Sequence, residues 1–383
     1  MDRPQNETDQ GNLMVGVRLD PSALGNAPQV RQRGRGAISN RSGRFETQSR
    51  ETFDDGWADG RDGDALPPLT TIVQLEKAKT IITTNNSPDI SFDRSINAYR
   101  GCEHGCSYCF ARPSHTYMGL SAGLDFETRL FAKPDAALLL EEELGQPSYR
   151  VKTIAIGTNT DPYQPIERQH RITRQILEVL ERTNHPVGIV TKSALIARDI
   201  DLLSSMAKRG LVRVAISITT LDRKLARAME PRAATPAKRL ETIRILSEAG
   251  IPTTVMVAPV IPALNDHEIE TILAAAAENG ARDAGFVLLR LPFEVSEIFK
   301  QWLAAHYPDR YRHVMNLLRS MRGGKDYDAA FGQRMRGRGP YADQIAKRMM
   351  LATKRLGMRR RKEPLRTDLF IPPERPGGQM SLF

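Results

Sequence analysis

The three cysteines of the chain all lie in the short stretch GCEHGCSYC, with the spacing Cys102-x3-Cys106-x2-Cys109. Thiolates this close on one loop could hold three irons of a [4Fe–4S] cluster, and because no cysteine remains for the fourth iron, that iron would be open to another ligand. An odd number of clustered cysteines also argues against a disulfide framework and for a metal site kept reduced. The spacing therefore predicts a metal centre.

A structural zinc site is the alternative. Zinc normally takes four ligands in such sites, and His104 or His115 could complete a set of three cysteines and one histidine. The arrangement Cys-x3-Cys-x-aromatic-Cys after a predicted strand is more specific than a lone CxxC, and it favours the iron–sulfur cluster.

Short apolar runs alternate with segments of helical spacing from residue 95 onward, and this alternation predicts the fold. The predicted strands are residues 96–101, 151–158, 186–193, 212–219, 252–260 and 284–291. Continuously apolar strands joined by helices are typical of parallel sheets covered on both faces. We predict an α/β fold, a partial (βα)6 barrel, and a doubly wound sheet is the competing topology because periodicity does not separate the two. In either fold the loops after the strands form the reactive face, and the cysteines follow the first strand.

The stretch CEHGCSYC resembles the CxxxCxYC signature of the radical S-adenosylmethionine (SAM) superfamily. The resemblance implies that SAM chelates the open iron of a cluster held by Cys102, Cys106 and Cys109, which form the catalytic centre. It implies that the reduced cluster cleaves SAM to methionine and a 5′-deoxyadenosyl radical, which abstracts hydrogen from a substrate. It further implies that Tyr108 contacts the adenine of SAM and that an electron donor such as flavodoxin or ferredoxin reduces the cluster.

Polar residues follow the second predicted strand in the stretch GTNTDPYQPIE. Thr158, Asn159 and Asp161 could hold the cationic amino group of SAM at this strand end. The superfamily often has a GGE-like stretch at this place, and the chain departs from that pattern.

Three further stretches, TDPYQPIE, TKSALIARDIDLL and MEPRAATPAKRLETI, resemble the branch related to spore photoproduct lyase, a DNA-lesion repair enzyme. The similarity spans roughly residues 90–300, and it implies that Lys192 and Ser217 contact SAM. Glu230 and Arg232 of MEPR could instead form an ion pair with each other, and we leave them out of the site residues.

The source of the returning hydrogen atom is the main departure from that lyase. Spore photoproduct lyase uses a further cysteine as a hydrogen-atom donor, whereas every cysteine of this chain is assigned to the cluster. Hydrogen must therefore return from 5′-deoxyadenosine or come from a tyrosine such as Tyr163, which we include among the catalytic candidates.

The net charge of +10 is unevenly distributed along the chain. Residues 312–362 carry 15 Lys and Arg against three Asp. Clustered cations favour binding to nucleic acid because binding releases counterions, although a solvated basic helix pair fits the pattern equally well. We divide the chain into a disordered N-terminal arm, a radical SAM partial barrel, a basic helical extension and a flexible tail, at residues 1–65, 66–300, 301–363 and 364–383.

The terminal sequence QMSLF resembles the bacterial sliding-clamp-binding pentapeptide. Gln379 would hydrogen-bond at the rim of the clamp pocket, while Met380, Leu382 and Phe383 fill apolar pockets. The sequence contains no apolar run of the roughly 20 residues needed to cross a bilayer, and its start lacks the pattern of a signal peptide. We therefore expect a cytoplasmic protein without membrane contact.

Three functional hypotheses follow from these patterns. The leading one is a radical SAM enzyme that acts on or near nucleic acid, as in DNA repair. The second is a non-catalytic nucleic-acid-binding adaptor with a structural metal loop, and the third retains the radical chemistry but moves the substrate to RNA or protein.

Overall fold

The structure is a computed structural model that describes residues 34–46, 69–358 and 364–374. Its strands are β1 (Ile72–Leu75), β2 (Ile82–Thr84), β3 (Arg94–Ile96), β4 (Tyr99–Arg100), β5 (Arg129–Ala132), β6 (Ile154–Ile156), β7 (Val187–Thr191), β8 (Val212–Ser217), β9 (Thr253–Val260) and β10 (Asp283–Leu288).

The α-helices connect and cover these strands. They are α1 (Asp125–Thr128), α2 (Ala136–Leu144), α3 (Glu167–His170), α4 (Ile172–Arg182), α5 (Ile200–Lys208), α6 (Arg223–Met229), α7 (Pro236–Glu248), α8 (Ile269–Glu278), α9 (Glu294–His306), α10 (Tyr311–Ser320) and α11 (Pro340–Arg355). Short 3-10 helices occupy Arg112–Met118, Ala194–Asp199, Asp266–Glu268 and Pro308–Arg310. Among the described helices, none is both long and apolar enough to cross a bilayer.

The main sheet has seven strands in the order β10-β9-β8-β7-β6-β3-β2. Six of them are parallel, and β2 pairs antiparallel with β3 at one edge. The parallel strands lie side by side in chain order, whereas a doubly wound sheet reverses its order at a switch point. The prediction of a partial (βα)6 barrel is therefore confirmed, and the doubly wound alternative is wrong.

Local sequence explains why the connecting segments form helices. In α4, the buried residues Ile172, Ile176, Leu177 and Leu180 recur at helical spacing and face the core. Thr235 caps the start of helix α7, because its side chain accepts a hydrogen bond from the backbone N–H of Lys238. A proline stands in the first turn of the helix. The apolar helix faces cover the sheet, whose strands are mostly buried on both sides.

The first predicted strand, 96–101, differs from the observed structure. Strand β3 ends at Ile96, and residues Tyr99–Arg100 form β4 in a separate sheet of order β1-β5-β4. The chain turns between the two strands, and Gly101 then takes a left-handed backbone with a φ of 74°. Strand β1 is mostly exposed and has no apolar alternation, so its sequence carries little strand signal.

Residues 34–46 belong to the arm that the sequence analysis expects to be disordered, yet they pack against the barrel. The backbone N–H groups of Gly36 and Ala37 donate to Glu127, and Ser39 Oγ donates to Gln301 Oε1 at 2.7 Å. Defined contacts with the barrel therefore hold this part of the arm. Composition gave no sign of this packing because buried polar partners hold the segment, together with only a small apolar cluster of Ala37, Ala122 and Ile298. The other residues of the arm lie outside the described residues.

The C-terminal extension packs onto the barrel as part of the same hydrophobic core. Buried residues of α10 and α11, among them Val314, Leu318 and Ile345, join the main core cluster. The Arg348 guanidinium on α11 binds the Glu270 carboxylate on α8 at 2.8 and 2.5 Å. Between α10 and α11 the chain forms turns without an α-helix, so the extension is helical only in part.

Candidate metal and SAM site

The cysteine loop lies between β4 and the 3-10 helix that begins at Arg112. Cys102 and Cys106 are 7% and 8% exposed, Cys109 is partly buried, and none forms a disulfide. Tight turns shape the loop, because the N–H of Cys109 donates to the carbonyl of Cys106 at 3.2 Å. The N–H of Cys102 donates to the carbonyl of Phe126 at 2.9 Å and ties the loop to α1.

Two glycines of this loop are required by space as well as by conformation. Gly101 and Gly105 have φ angles of 74° and 65°. A Cβ on Gly101 would lie 2.9 Å from the Phe126 carbonyl oxygen, and one on Gly105 would lie 2.7 Å from Glu127 Oε2. The glycines thus permit the close packing of the cysteine loop against its neighbours.

Arg112 and Glu127 form a fully buried ion pair behind the loop. Arg112 Nε donates to the carbonyl of Cys106 at 2.9 Å, and its Nη2 binds Glu127 Oε1 at 2.5 Å. Glu127 also accepts the N–H groups of Gly36 and Ala37 at 3.0 and 2.8 Å. This pair therefore joins the cysteine loop to the N-terminal segment, a role that no local motif indicates.

Gln164 holds the backbone on both sides of the first cysteine. Its Oε1 accepts the N–H of Glu103 at 2.9 Å, and its Nε2 donates to the carbonyl of Gly101 at 3.1 Å. Gln164 is fully buried and belongs to the TDPYQPIE stretch. No pattern in this stretch indicates the role of its glutamine.

The three cysteine thiols are suited to bind soft metal ions. Burial, together with the Asp161 carboxylate and the neighbouring thiols, raises the pKa of Cys102. Burial and the Glu230 carboxylate raise the pKa of Cys106 to about 12, although the Lys192 cation opposes the shift. The unligated thiols of Cys102 and Cys106 therefore hold their protons at neutral pH, and metal binding must displace them. Three neighbouring thiols, two of them buried and one partly buried, fit the soft donor set of an iron–sulfur cluster.

The two histidines of the zinc alternative are both buried. His104 Nδ1 lies 3.4 Å from Asp161 Oδ2. His115 Nε2 lies 2.9 Å from the Arg129 carbonyl oxygen, and burial lowers the pKa of His115 to about 4. In the described part of the chain, no three His, Cys, Asp or Glu side chains are arranged as a site for a single metal ion.

Asp161 connects the loop after β6 to the end of β7. Its carboxylate accepts Thr191 Oγ1 at 2.6 Å, the N–H of Lys192 at 2.7 Å and the N–H of Tyr163 at 2.9 Å, and it faces His104. Burial alone would raise the pKa of Asp161, but His104 and these donors lower it to about 2. A carboxylate has about four acceptor positions. Hydrogen-bond donors of the protein itself thus already occupy the Asp161 carboxylate, which the sequence predicts to bind SAM.

Tyr108 projects from the cysteine loop into a buried network below the strand ends. Its hydroxyl donates to Glu230, which also accepts Thr219 Oγ1 at 2.6 Å. Arg239 pairs with the same carboxylate and donates to the Ser217 carbonyl at 3.0 Å. Burial and the Glu230 charge raise the pKa of Tyr108, so its phenol stays protonated. The network therefore fixes the Tyr108 ring beside the end of β8.

Lys192 brings a positive charge into the same region. Its Nζ lies 5.8 Å from the centroid of the Tyr108 ring. Its charge opposes the rise in the pKa of Cys106 and helps to lower the pKa of Glu230. Burial alone would raise the pKa of Glu230, but the Arg239 and Lys192 cations lower it to about 2. Of the predicted SAM residues, Tyr108, Lys192 and Ser217 are thus gathered at adjoining strand ends.

The remaining predicted residues lie on the loop after β6. Thr158 is half-buried and Asn159 is exposed, and the backbone N–H of Asn159 donates to Asn97 Oδ1 at 3.1 Å. Tyr163 is 1% exposed, and the Arg198 guanidinium lies 6.0 Å from the centroid of its ring. Burial and the Asp199 carboxylate raise the pKa of Tyr163. The catalytic role of Tyr163 stays a prediction.

Glu230 and Arg232 do not pair with each other. Glu230 turns inward to Arg239, whereas Arg232 Nη2 lies 3.1 Å from Glu103 Oε1 on the cysteine loop. Helix α6 ends at Met229, and the turn that follows sends the two side chains in different directions. Spacing along the chain could not show this turn.

Comparison with known proteins agrees with this geometry. Residues 96–276 match the family model of the radical SAM superfamily. An uncharacterized protein of Mycobacterium tuberculosis is 38% identical over 234 residues, which cover 60% of this chain and 69% of the relative. The chain belongs to the radical SAM superfamily. Its cofactors are a [4Fe–4S] cluster and SAM, and the predictions of family, cofactors and enzyme are confirmed.

Other relatives of this radical SAM enzyme extend the comparison. An uncharacterized protein of Methanocaldococcus jannaschii is 27% identical over 243 residues, which cover 63% of this chain and 85% of the relative. Among solved structures, spore photoproduct lyase complexed with dinucleoside spore photoproduct matches with a TM-score of 0.53 and 17% identity. That match covers 74% of this chain and 79% of the lyase chain, and at this identity it shows a shared fold.

Proposed function

We propose that this radical SAM enzyme acts on nucleic acid, in a reaction related to DNA-lesion repair. When bound, the cluster and SAM supply a 5′-deoxyadenosyl radical by one-electron cleavage of SAM. The residues of the chain hold these cofactors, exclude water and orient the substrate. The observation that carries the proposal is a surface of arginines and exposed aromatic rings beside the cysteine loop.

Two arginine–aromatic pairs define this surface. Phe110 directly follows the third cysteine and is 42% exposed, and the Arg290 guanidinium lies 4.7 Å from the centroid of its ring. Phe293 is 65% exposed, and the Arg44 guanidinium lies 3.9 Å from the centroid of its ring. Unpaired bases stack on aromatic rings and on guanidinium planes. The two pairs therefore suit a nucleic acid whose bases are accessible.

Phe293 is held outward by a strained backbone. Its φ of 50° and ψ of −123° are unusual for a residue with a side chain, and such strain costs about 1–3 kcal/mol. An exposed phenyl ring contributes little to the core that would offset this cost. Strained residues cluster at functional sites. The conformation therefore supports a binding role for Phe293.

The basic segment 312–362 supports the proposal less strongly than its composition indicates. Arg319 pairs with Asp326 at 2.7 Å, Arg348 pairs with Glu270, and Arg322 is buried. Other described cations of the segment are exposed and available for phosphate contacts, namely Arg312, Lys325, Arg336, Arg338, Lys347, Lys354 and Arg355.

Gln379, Met380, Leu382 and Phe383 lie outside the described residues, and we propose their contact with a sliding clamp from the sequence alone. Such a contact would raise the local concentration of the enzyme at DNA. The proposed nucleic-acid substrate agrees with the cytoplasmic location expected from the sequence.

Substrate-dependent SAM turnover tests the proposal. The anaerobically reconstituted enzyme, with about four irons per chain, is reduced with dithionite and incubated with single-stranded DNA, ultraviolet-irradiated duplex DNA, RNA or a protein extract. We expect DNA to change the yield of 5′-deoxyadenosine and deuterated DNA to transfer label to SAM or 5′-deoxyadenosine. Label transfer from RNA or protein alone would contradict the proposal and favour the third hypothesis.

A further inference from the structure

A cationic cleft of about 570 Å³ adjoins the cysteine loop. Its walls are residues 34–38, part of α6 with the turn that follows it, and His306 of α9. Arg35, Arg223, Lys224 and Arg227 line it, and none of its described lining residues is Asp or Glu. The cleft therefore presents concentrated positive charge on a concave surface.

Three of these cations are available to a partner. Arg223, Lys224 and Arg227 are exposed, and their side chains form no ion pair or hydrogen bond with any described residue. The exposed cations of the neighbouring helix α7 differ, because Lys238 pairs with Glu241 and Arg244 pairs with Glu248. Unpaired cations gathered on one turn of α6 are typical of a surface that receives an acidic partner.

The walls of the cleft contact the cysteine loop directly. A Cβ on Gly36 would lie 1.6 Å from the Gly105 carbonyl oxygen, so the two backbones are in close contact. The N–H of Ser107 donates to the carbonyl of Met229, the last residue of α6, at 3.0 Å. A redox group seated in the cleft would therefore be separated from the cysteines by little more than the backbone of their own loop.

The cleft and the SAM residues meet the loop through different residues. Tyr108 turns to Glu230 and Lys192 at the strand ends, whereas Gly105 and Ser107 contact the cleft walls. A substrate must reach the radical formed beside SAM, but a reductant needs only proximity to the cluster. This separation favours an electron donor over a substrate as the occupant of the cleft.

We propose that this cleft docks an acidic electron-donor protein of the flavodoxin or ferredoxin kind. The donor loses one electron and the cluster gains it, and no bond is made or broken in that step. Arg223, Lys224 and Arg227 bind the acidic surface of the donor, while Gly36 allows close approach to the loop. The proposal concerns reduction of the cluster and is independent of which substrate the enzyme takes.

A triple variant separates docking from the rest of catalysis. Arg223→Gln, Lys224→Gln and Arg227→Gln are combined, and Lys238→Gln with Arg244→Gln on α7 forms the control. With reduced flavodoxin as donor, we expect the flavodoxin concentration for half-maximal 5′-deoxyadenosine release to rise about tenfold or more in the triple variant. With dithionite as reductant, both variants should equal the unaltered enzyme.

The affinity of the enzyme for flavodoxin can be measured without turnover. Titration calorimetry of the reconstituted enzyme with oxidised flavodoxin should show a Kd about tenfold higher for the triple variant at low salt. Because screening weakens charge attraction, this difference should shrink as ionic strength rises. If the triple variant does not fold, Arg227→Glu alone is measured in the same way.

Three results would overturn the proposal. Unchanged flavodoxin affinity in the triple variant would show that the donor docks elsewhere. An equal loss of dithionite-driven SAM cleavage would place these cations in the cofactor site instead. Loss of oligonucleotide binding with normal flavodoxin-driven turnover would make the cleft a phosphate site. Since the substrate experiment uses dithionite, its failure and the failure of this docking proposal are distinguishable.

Discussion

Charged residues lie on two sides of the cysteine loop, buried in pairs on one side and exposed on the other. On the strand-end side, Glu230 and Arg239 are buried and pair with each other, and Glu230 also accepts hydrogen bonds from Tyr108 and Thr219. On the outer side, the cations of α6 are exposed and unpaired among the described residues. Buried charges require partners that fix them, whereas exposed charges remain free to attract other molecules. The loop is therefore held rigid from one side and is accessible from the other.

The strongest test of this contrast is to break the buried pair. Glu230→Gln leaves the Arg239 cation buried without its counter-charge, and loss of one partner costs about 3–5 kcal/mol of unfolding free energy. Glu241→Gln, which breaks the exposed pair with Lys238, should cost less than about 1 kcal/mol. Guanidinium unfolding of both variants measures the difference. Equal losses would show that the Glu230 network is no more important than a surface pair.

The buried side of the fold should also depend on pH. Burial lowers the pKa of His185 from its ordinary 6.5 to about 4, while Tyr149 and the Pro186 carbonyl hold its ring. Below pH 6.5 the unfolded chain protonates this histidine, whereas the folded protein keeps it neutral. The free energy of unfolding therefore decreases as the pH is lowered, and about 3 kcal/mol is lost by pH 4. Urea unfolding between pH 7 and 4.5 measures this loss. His115 is buried with an equally lowered pKa, so His185→Gln removes one of two such groups and should reduce the loss by about half. An unchanged slope would contradict this assignment.

The exposed aromatic rings should affect binding and leave stability nearly unchanged. Phe293→Ala removes a stacking surface, and each stacked base is worth about 1–3 kcal/mol, so the Kd for single-stranded DNA should rise about tenfold. Leu138→Ala, at an exposed position on α2, is the control and should leave that Kd unchanged. Fluorescence anisotropy measures both affinities. Equal affinities of the two variants would remove Phe293 from the proposed nucleic-acid surface.

The smallest effect on substrate turnover is expected from substitution of Tyr163. Its ring is buried beside Arg198 and Asp199, so we expect hydrogen to return from 5′-deoxyadenosine without it. Tyr163→Phe should keep substrate turnover within about twofold of the unaltered enzyme. Lys192→Met, next to the Tyr108 ring, provides the contrast and should reduce turnover strongly. A Tyr163→Phe enzyme that abstracts hydrogen but releases an unfinished product would restore the tyrosine as the donor.

The amino-acid sequence alone predicted the cofactors and the fold class. Cysteine spacing and the alternation of apolar strands with helices are local patterns, so they can be recognised without knowing how distant segments meet. Tertiary structure decided what supports the metal centre. Gly36 reaches Glu127, Gln164 braces Gly101, and Arg239 rather than Arg232 pairs with Glu230. These contacts join residues from separate elements, and no periodicity or spacing in the chain records which of several possible partners folding brings together.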